Sequence, residues 1–390
     1  MRRLLAAAAG GATASLSLPP AGLWPALIVG VGLLIWLLDG VSRQHESGTR
    51  RLVSAALVGW SFGFGYFVIS LYWLGFAFLV DSETFAVLMP LGVAGLPAGL
   101  ALFWALAAAA AIVVWRPGVR RAIALAVALA AGEWLRGHVF TGFPWNAPGY
   151  AAGALDGLGQ GAAFVGLYGM TLAMLLWAGL AAVVATERLS RRGLIVAGVV
   201  LALAPLALMA GHWRLATAES STFGHIGLRI VQANIAQGDK WQPEHQNEIV
   251  DAHLDLSTAG GLEGVTHVVW PESAVPMLID EGPEARQRLV RRLPDDTTLL
   301  LGALRRAIDD PVGAPSLRVY NSVFALSGSG EITARYDKWR LVPFGEYLPA
   351  EGLLKPLGLR KLVTLPLGFA AGPGPRTLMV DDTPAFAPLV

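Results

Sequence analysis

The run GLIVAGVVLALAPLALMAG, residues 193–211, passes through nineteen positions without a charge and then meets His212-Trp213-Arg214. A hydrocarbon core about 30 Å thick is crossed by roughly 20 apolar residues in a helix, so this run reads as a membrane span. Long stretches before it carry no Asp, Glu, Lys or Arg, whereas the residues after it have ordinary mixed composition. The reading is a membrane domain over 1–212 and a domain outside the bilayer over 213–390. The second part is large enough for a core of its own.

The whole chain agrees with that division. Of 390 residues, 54% are hydrophobic and 15% charged, and the mean hydropathy is +0.55. Soluble domains carry about 25% charged residues, so much of this surface is kept from water. The net charge of +1, with no basic cluster among aromatics, gives no sign of nucleic-acid binding. Seven scattered histidines without ligand spacing suggest no metal, and no glycine-rich phosphate loop follows a strand, so no cofactor is expected. With no cysteine, disulfides, thiolate metal sites and cysteine chemistry are excluded within these residues.

Six further stretches read as spans, at about 4–18, 23–39, 52–80, 85–115, 122–140 and 161–186. The first is too closely followed by the second, and too unclear in its cleavage pattern, to read as a signal peptide. Arginine then orients the bundle. Arg2 and Arg3, then Arg43, Arg50 and Arg51, then Arg116, Arg120 and Arg121, then Arg188, Arg191 and Arg192 fill the odd loops. The even loops hold Pro19-Pro20, Asp81-Ser82-Glu83 and an aromatic stretch over 141–160. Basic loops stay in the cytoplasm, which puts the N-terminus there and everything after His212 on the outer face.

Two features of the membrane part stand out. Glu133 and Arg136, three apart in an apolar helix, share a face and can pair. Ionisable groups at such depth read either as a functional site or as a structural ion pair near the interface. The segment Thr141-Gly142-Phe143-Pro144-Trp145-Asn146, with Tyr150, reads as a loop at the outer interface, a lipid entrance or an anchor.

In the outer part the periodicity changes. Short β-rich runs at Ile226–Gln232, Thr266–Trp270 and Thr298–Leu304 alternate with helical spacing over Pro243–Ser257 and Glu284–Leu293. Val319–Leu326 and Ile332–Lys338 form a hairpin around Ser327–Gly330, so an α/β sandwich with mixed sheets is expected. Glu272 leaves the end of a buried strand in Trp270-Pro271-Glu272-Ser273, a setting that suits a general base as well as a helix cap. Lys338 ends another strand, where a fixed ammonium can stabilise an oxyanion, and Glu346 follows in a Pro-punctuated loop; a polar surface loop is the plain alternative. The apolar run Ala385–Val390 reads as a buried strand on which the chain stops, so a truncated product is expected.

Taken in order, these pieces resemble the apolipoprotein N-acyltransferase family. The likeness runs through Glu133-Trp134-Leu135-Arg136-Gly137, Thr141–Trp145, Val231-Gln232-Ala233-Asn234-Ile235 with Lys240-Trp241, Trp270–Pro276, Tyr320-Asn321-Ser322 and Lys338–Glu346. The resemblance implies a membrane bundle of about seven transmembrane helices followed by an α/β (αββα) nitrilase-like sandwich, here incomplete. It implies an inner-membrane, multi-pass enzyme with its nitrilase-like domain in the periplasm, transferring an acyl chain from a phospholipid donor to a diacylated apolipoprotein through a thioester. On it, Glu272 is the general base, Lys338 stabilises the tetrahedral intermediate, Glu346 is a supporting carboxylate, and Trp241 and Asn321 shape the site. The family's cysteine lies on a strand after a Gly/Pro-rich stretch like Gly372–Pro375, and would be the residue after Val390. The chain as given is therefore expected to be inactive. The alternatives are a membrane-anchored amidase or nitrilase acting on small substrates, and a non-catalytic lipid-binding or transport protein.

Overall fold

The computed structural model describes the chain except residues 45–47, 80–85, 220–221, 237, 281, 310–315, 344, 348–368 and 381–390, and gives no side chains at 88, 308, 309 and 316. The expected Asp81-Ser82-Glu83 turn and Ala385–Val390 strand lie outside the described residues. The chain divides into two compact units, Met1–Glu219 and Ser220–Val390.

The first unit is helical: α1 (Arg2–Ser15), α2 (Pro25–Gln44), α3 (Thr49–Leu71), α4 (Met89–Val113), α5 (Val119–Arg136), α6 (Ala162–Thr186) and α7 (Arg191–Thr217). Among the described residues, five stretches are long and apolar enough to cross a membrane: α2, α3 with the 3-10 turn after it to Leu79, α4, α6 and α7. The other two expected spans are weaker. At 14 residues α1 is about 21 Å long, short of the hydrocarbon thickness, and α5 carries Arg120, Arg121, Glu133 and Arg136 in 18 residues.

Small residues let these helices approach closely, as helices in lipid require. A Cβ at Gly11 of α1 would fall 1.8 Å from the Phe62 carbonyl oxygen of α3, and one at Gly65 of α3 would fall 2.0 Å from the Ala8 oxygen. Around that contact lies an apolar core with Leu34, Phe62, Tyr66, Phe67, Trp104 and Leu129. Helix α7 is the exception: at mean hydropathy 2.5 it is the most apolar of the five, yet only Gly193, Ala197 and Gly211 are buried.

Polar groups collect at the two ends of the bundle. At one, Arg121 of α5 binds Asp39 of α2 at 2.6 Å and Glu187 after α6 at 2.7 Å, and the Trp115 indole donates to Asp39 at 2.9 Å. Arg51 donates to Ser42 at 2.9 Å, so the basic connections flanking α2 to α6 share this end. At the other, Glu133 and Arg136 have fully buried side chains joined at 2.5 and 2.9 Å. The Trp104 indole donates to Glu133 at 2.7 Å, and Arg136 donates to the carbonyls of Phe143 and, at 2.9 Å, Trp145. Arg136 also lies 4.9 Å from the Phe67 ring centroid. The expected pair is formed and buried, and the arginine ties down the aromatic loop. Asn146 completes the tie, donating to Ser70 O at 2.6 Å while its own carbonyl accepts from Tyr66 at 3.0 Å.

Among the described residues the second unit holds a mixed sheet of six strands: β1 (Leu228–Ile230), β2 (His267–Val269), β3 (Val275–Leu278), β4 (Thr298–Asp309), β5 (Ser316–Leu326) and β6 (Ile332–Asp337). β1, β2 and β4 run parallel, and β4, β5 and β6 form an antiparallel meander. Helices α8 (Gln246–Thr258) and α9 (Pro283–Val290) contribute Val250, Leu254, Leu289 and Val290 to a core with Val268, Leu299, Leu301 and Phe324. Leu300, Ala325 and Tyr336 belong to a second cluster with Leu378 and Val380. Strand β3 is absent from the sequence reading, because Pro276 breaks the alternation; it pairs parallel to β4 through Ala303 and Leu304, further along the same edge as β2.

Candidate active site

Between β2 and β3 the chain leaves the sheet for five residues and returns. Trp270 N donates to Leu300 O at 2.8 Å and Ala274 N to Gly302 O at 2.8 Å, so both ends of the excursion are pinned to β4. Between them Ser273 takes a left-handed φ of 49°. The bulge is possible because β4 has no side chain beneath it: a Cβ on Gly302 would stand 2.5 Å from Ser273 N and 2.6 Å from the Glu272 Cα. Trp270 is buried and fastened through its indole to Ser257 of α8 at 2.9 Å. The result is that Glu272 is lifted out of the strand on a rigid base, with its side chain half exposed.

Lys338 follows β6 and is held by backbone on both sides: its N donates to Asn321 O at 2.8 Å, and Gly372 N donates to its carbonyl at 2.8 Å. Its ammonium lies 3.3 Å from Glu272 Oε1 and 2.9 Å from Glu346 Oε1. Glu346 is anchored in turn, accepting the Val342 N–H at 2.8 Å. Burial alone would push the Lys338 ammonium down, but the hydrogen bond it donates to Glu346 and the charges of both glutamates outweigh it and hold it above its ordinary value. Lys338 is therefore a cation at neutral pH. Asn321, buried on β5, donates its side-chain amide to Glu272 Oε1.

Four residues singled out from the sequence, Glu272, Lys338, Glu346 and Asn321, thus meet at one place. Trp241 is 44% exposed, and it is the neighbouring Lys240 whose ammonium reaches the Glu272 carbonyl oxygen, at 3.3 Å. Sequence reasoning quoted Lys240 beside Trp241 without giving it a role. It also missed the support behind Lys338: Asp337 takes both Nε and Nη2 of Arg305 at 2.9 Å and the Ser322 hydroxyl at 2.7 Å, and Arg305 stacks 4.2 Å over Tyr320. An arginine so far along the chain from any motif residue carries no local signal. Among the described residues no group of three or more His, Asp or Glu is placed to hold a metal.

A carboxylate held within reach of a fixed ammonium, with a second carboxylate and an amide bonded to them, is an arrangement that can move a proton and stabilise an oxyanion. Comparisons with known proteins give the family. Residues 10–180 match the model of the apolipoprotein N-acyltransferase N-terminal domain. The whole chain is 42% identical over 396 residues to the apolipoprotein N-acyltransferase of Brucella suis biovar 1, covering 73% of it. To that of Rhodopseudomonas palustris it is 38% identical over 397 residues, again its whole length and 73% of the relative, and to that of Agrobacterium fabrum 40% over 395, covering 74%. The chain belongs to the apolipoprotein N-acyltransferase family.

Proposed function

We propose that the site carries the acyl transfer named for these relatives, with a phospholipid as donor and the α-amine of a diacylated apolipoprotein as acceptor. The observation that carries the reading is the convergence of Glu272, Lys338, Glu346 and Asn321 from four separate segments. Glu272 takes the proton of a cysteine thiol as its sulfur attacks the donor ester. The Lys338 ammonium meets the negative charge that develops on the ester oxygen, and Glu346 keeps that ammonium charged and aimed. Collapse expels the lysophospholipid, whose alkoxide recovers the proton from Glu272, and leaves a thioester. The acceptor amine then attacks, gives its proton to Glu272 and releases the thiolate. Dividing the transfer in two predicts ping-pong kinetics. Trp241 would shape the acyl-chain side of the site. Seven crossings, with the basic end of the bundle in the cytoplasm and the second unit in the periplasm of the inner membrane, would bring both lipid substrates to it.

The reading requires a thiol, and the 390 residues contain no cysteine. Its test therefore begins with the gene, read beyond both ends of this sequence for a cysteine codon in frame. A protein that carries such a cysteine is then incubated with a phospholipid labelled in its acyl chain, and hydroxylamine-labile label on the protein is measured. Glu272→Ala and Lys338→Ala should each lower acyl-enzyme formation by about 10²-fold or more. Robust acylation in either variant removes that residue from its role. Release of ammonia from small amides, with phospholipid chains left intact, overturns the transferase reading in favour of an amidase.

A further inference from the structure

The groups around Glu272 do not balance in charge. Glu272 and Glu346 bring two negative charges, and Lys338, bonded to both, brings one positive charge. A phospholipid adds a phosphodiester anion, and a centre with a net negative charge repels it. Lys240 makes up the difference. Its ammonium sits on the backbone oxygen of Glu272 at 3.3 Å, a neutral acceptor, so two of its three N–H donors have no partner among the described residues. The turn that carries it is fixed: Lys240 N donates to Ala236 O at 3.1 Å, and the Gln242 amide closes on Gly238 O at 2.9 Å.

We propose that Lys240 is the seat of the donor's phosphate, holding the phosphodiester of a phospholipid head group beside the Glu272 carboxylate. The proposal rests on the acyl-transfer reading of the same site and specifies how the donor is chosen. A lysine suits it, because an ammonium binds phosphate as a point charge and does not demand a flat bidentate partner. Burial holds the Lys240 ammonium below its usual range, with Glu272 pulling the other way, so an arriving anion tightens its proton.

The test uses the 390-residue chain in a nonionic detergent. Its four lysines, Lys240, Lys338, Lys355 and Lys361, are labelled by reductive methylation with carbon-13, and the Lys240 signal is assigned by its loss in Lys240→Arg. Dihexanoyl phosphatidylglycerol should shift that signal saturably, while dihexanoylglycerol, which lacks the phosphate, should leave it in place. By calorimetry, Lys240→Met should bind dihexanoyl phosphatidylglycerol about tenfold more weakly, and Lys240→Arg within roughly twofold of the unmodified chain. An equal shift with dihexanoylglycerol overturns the proposal. So does an equal response to inorganic phosphate at the same concentration, which marks a site for a free anion and not for a head group. If labelled phospholipid acylates the cysteine-bearing protein but leaves Lys240 unmoved, this proposal falls and acyl transfer stands. If Lys240 responds but no acyl-enzyme forms, the reverse holds.

Discussion

Replacing Gly302 by alanine adds one methyl group under the Glu272 bulge, where the backbone leaves no room for it. The new Cβ would stand 2.5 Å from Ser273 N, 2.6 Å from Glu272 Cα and 2.7 Å from Pro271 O, all backbone atoms that cannot rotate away. Opening those contacts to the 3.4 Å at which ordinary packing begins moves the Pro271–Ser273 backbone by about 0.7–0.9 Å. Overpacking of this kind costs about 1–3 kcal/mol, which for a unit of this size lowers the melting temperature by roughly 2–12 °C. The functional loss should be larger, since a displacement near 1 Å at a reacting group costs on the order of 10²-fold in rate. Gly224→Ala, where an added Cβ meets nothing within 4 Å and φ is not left-handed, is the matched control. Melting by circular dichroism and acyl-enzyme formation, measured side by side, should separate the two substitutions. A Gly302→Ala protein that melts with the parent and acylates at its rate refutes the claim that β4 shapes the seat of Glu272.

Two more outcomes are expected from the ion pairs. Burial pushes the Asp337 carboxyl up, but the Arg305 and Ser322 hydrogen bonds outweigh it and hold it below 3.8. A carboxyl depressed in the folded state contributes stability that is complete above its unfolded value and fades as pH falls through the folded one. Urea titrations from pH 5 down to about pH 2 should therefore lose stability more steeply in the parent than in Asp337→Asn; parallel slopes would dismiss the linkage. In the bundle, Arg136→Met strands Glu133 and two loop carbonyls, and should cost about 3–5 kcal/mol while shifting the emission of Trp145. Glu133→Gln combined with Arg136→Met should recover part of that loss; a single variant as stable as the parent sinks the account.

Apolar runs announced the helices of the first unit, because in lipid the solvent demands apolar side chains on every face. The interrupted edge beside β4 was less legible. β2 carries an apolar Val268-Val269 that any reading finds, whereas β3 contains Pro276 and owes its pairing to a parallel strand, with Val275 set against Ala303 and Leu278 against Leu304. Glu272 and Lys338 could be suspected from their places at strand ends, yet nothing local says that they lie 3.3 Å apart. That distance depends on Gly302 and on the register that sets Ser322 against Asp337. The same holds for Glu133 and Arg136, where spacing revealed the pair but not the two loop carbonyls that absorb the remaining donors.

Helix α5 has a consequence for how the protein is made. Arg120, Arg121, Glu133 and Arg136 leave α5 only the stretch 122–132 without a charge, well short of the roughly 20 apolar residues that cross a bilayer. Released alone from the translocation machinery, it would be a poor candidate for the bilayer. Its partners decide the matter, and they arrive in order. Trp104, Trp115 and Asp39 precede it in the chain, so the Glu133–Arg136–Trp104 contact and half of the Arg121 cluster can close as soon as α5 emerges. Glu187 comes only after α6, and until then Arg121 lacks its second carboxylate. The bundle therefore assembles its fifth helix by handing it from finished neighbours to an unfinished one, and a lengthened delay between α5 and α6 during synthesis would hold that helix at its most vulnerable stage.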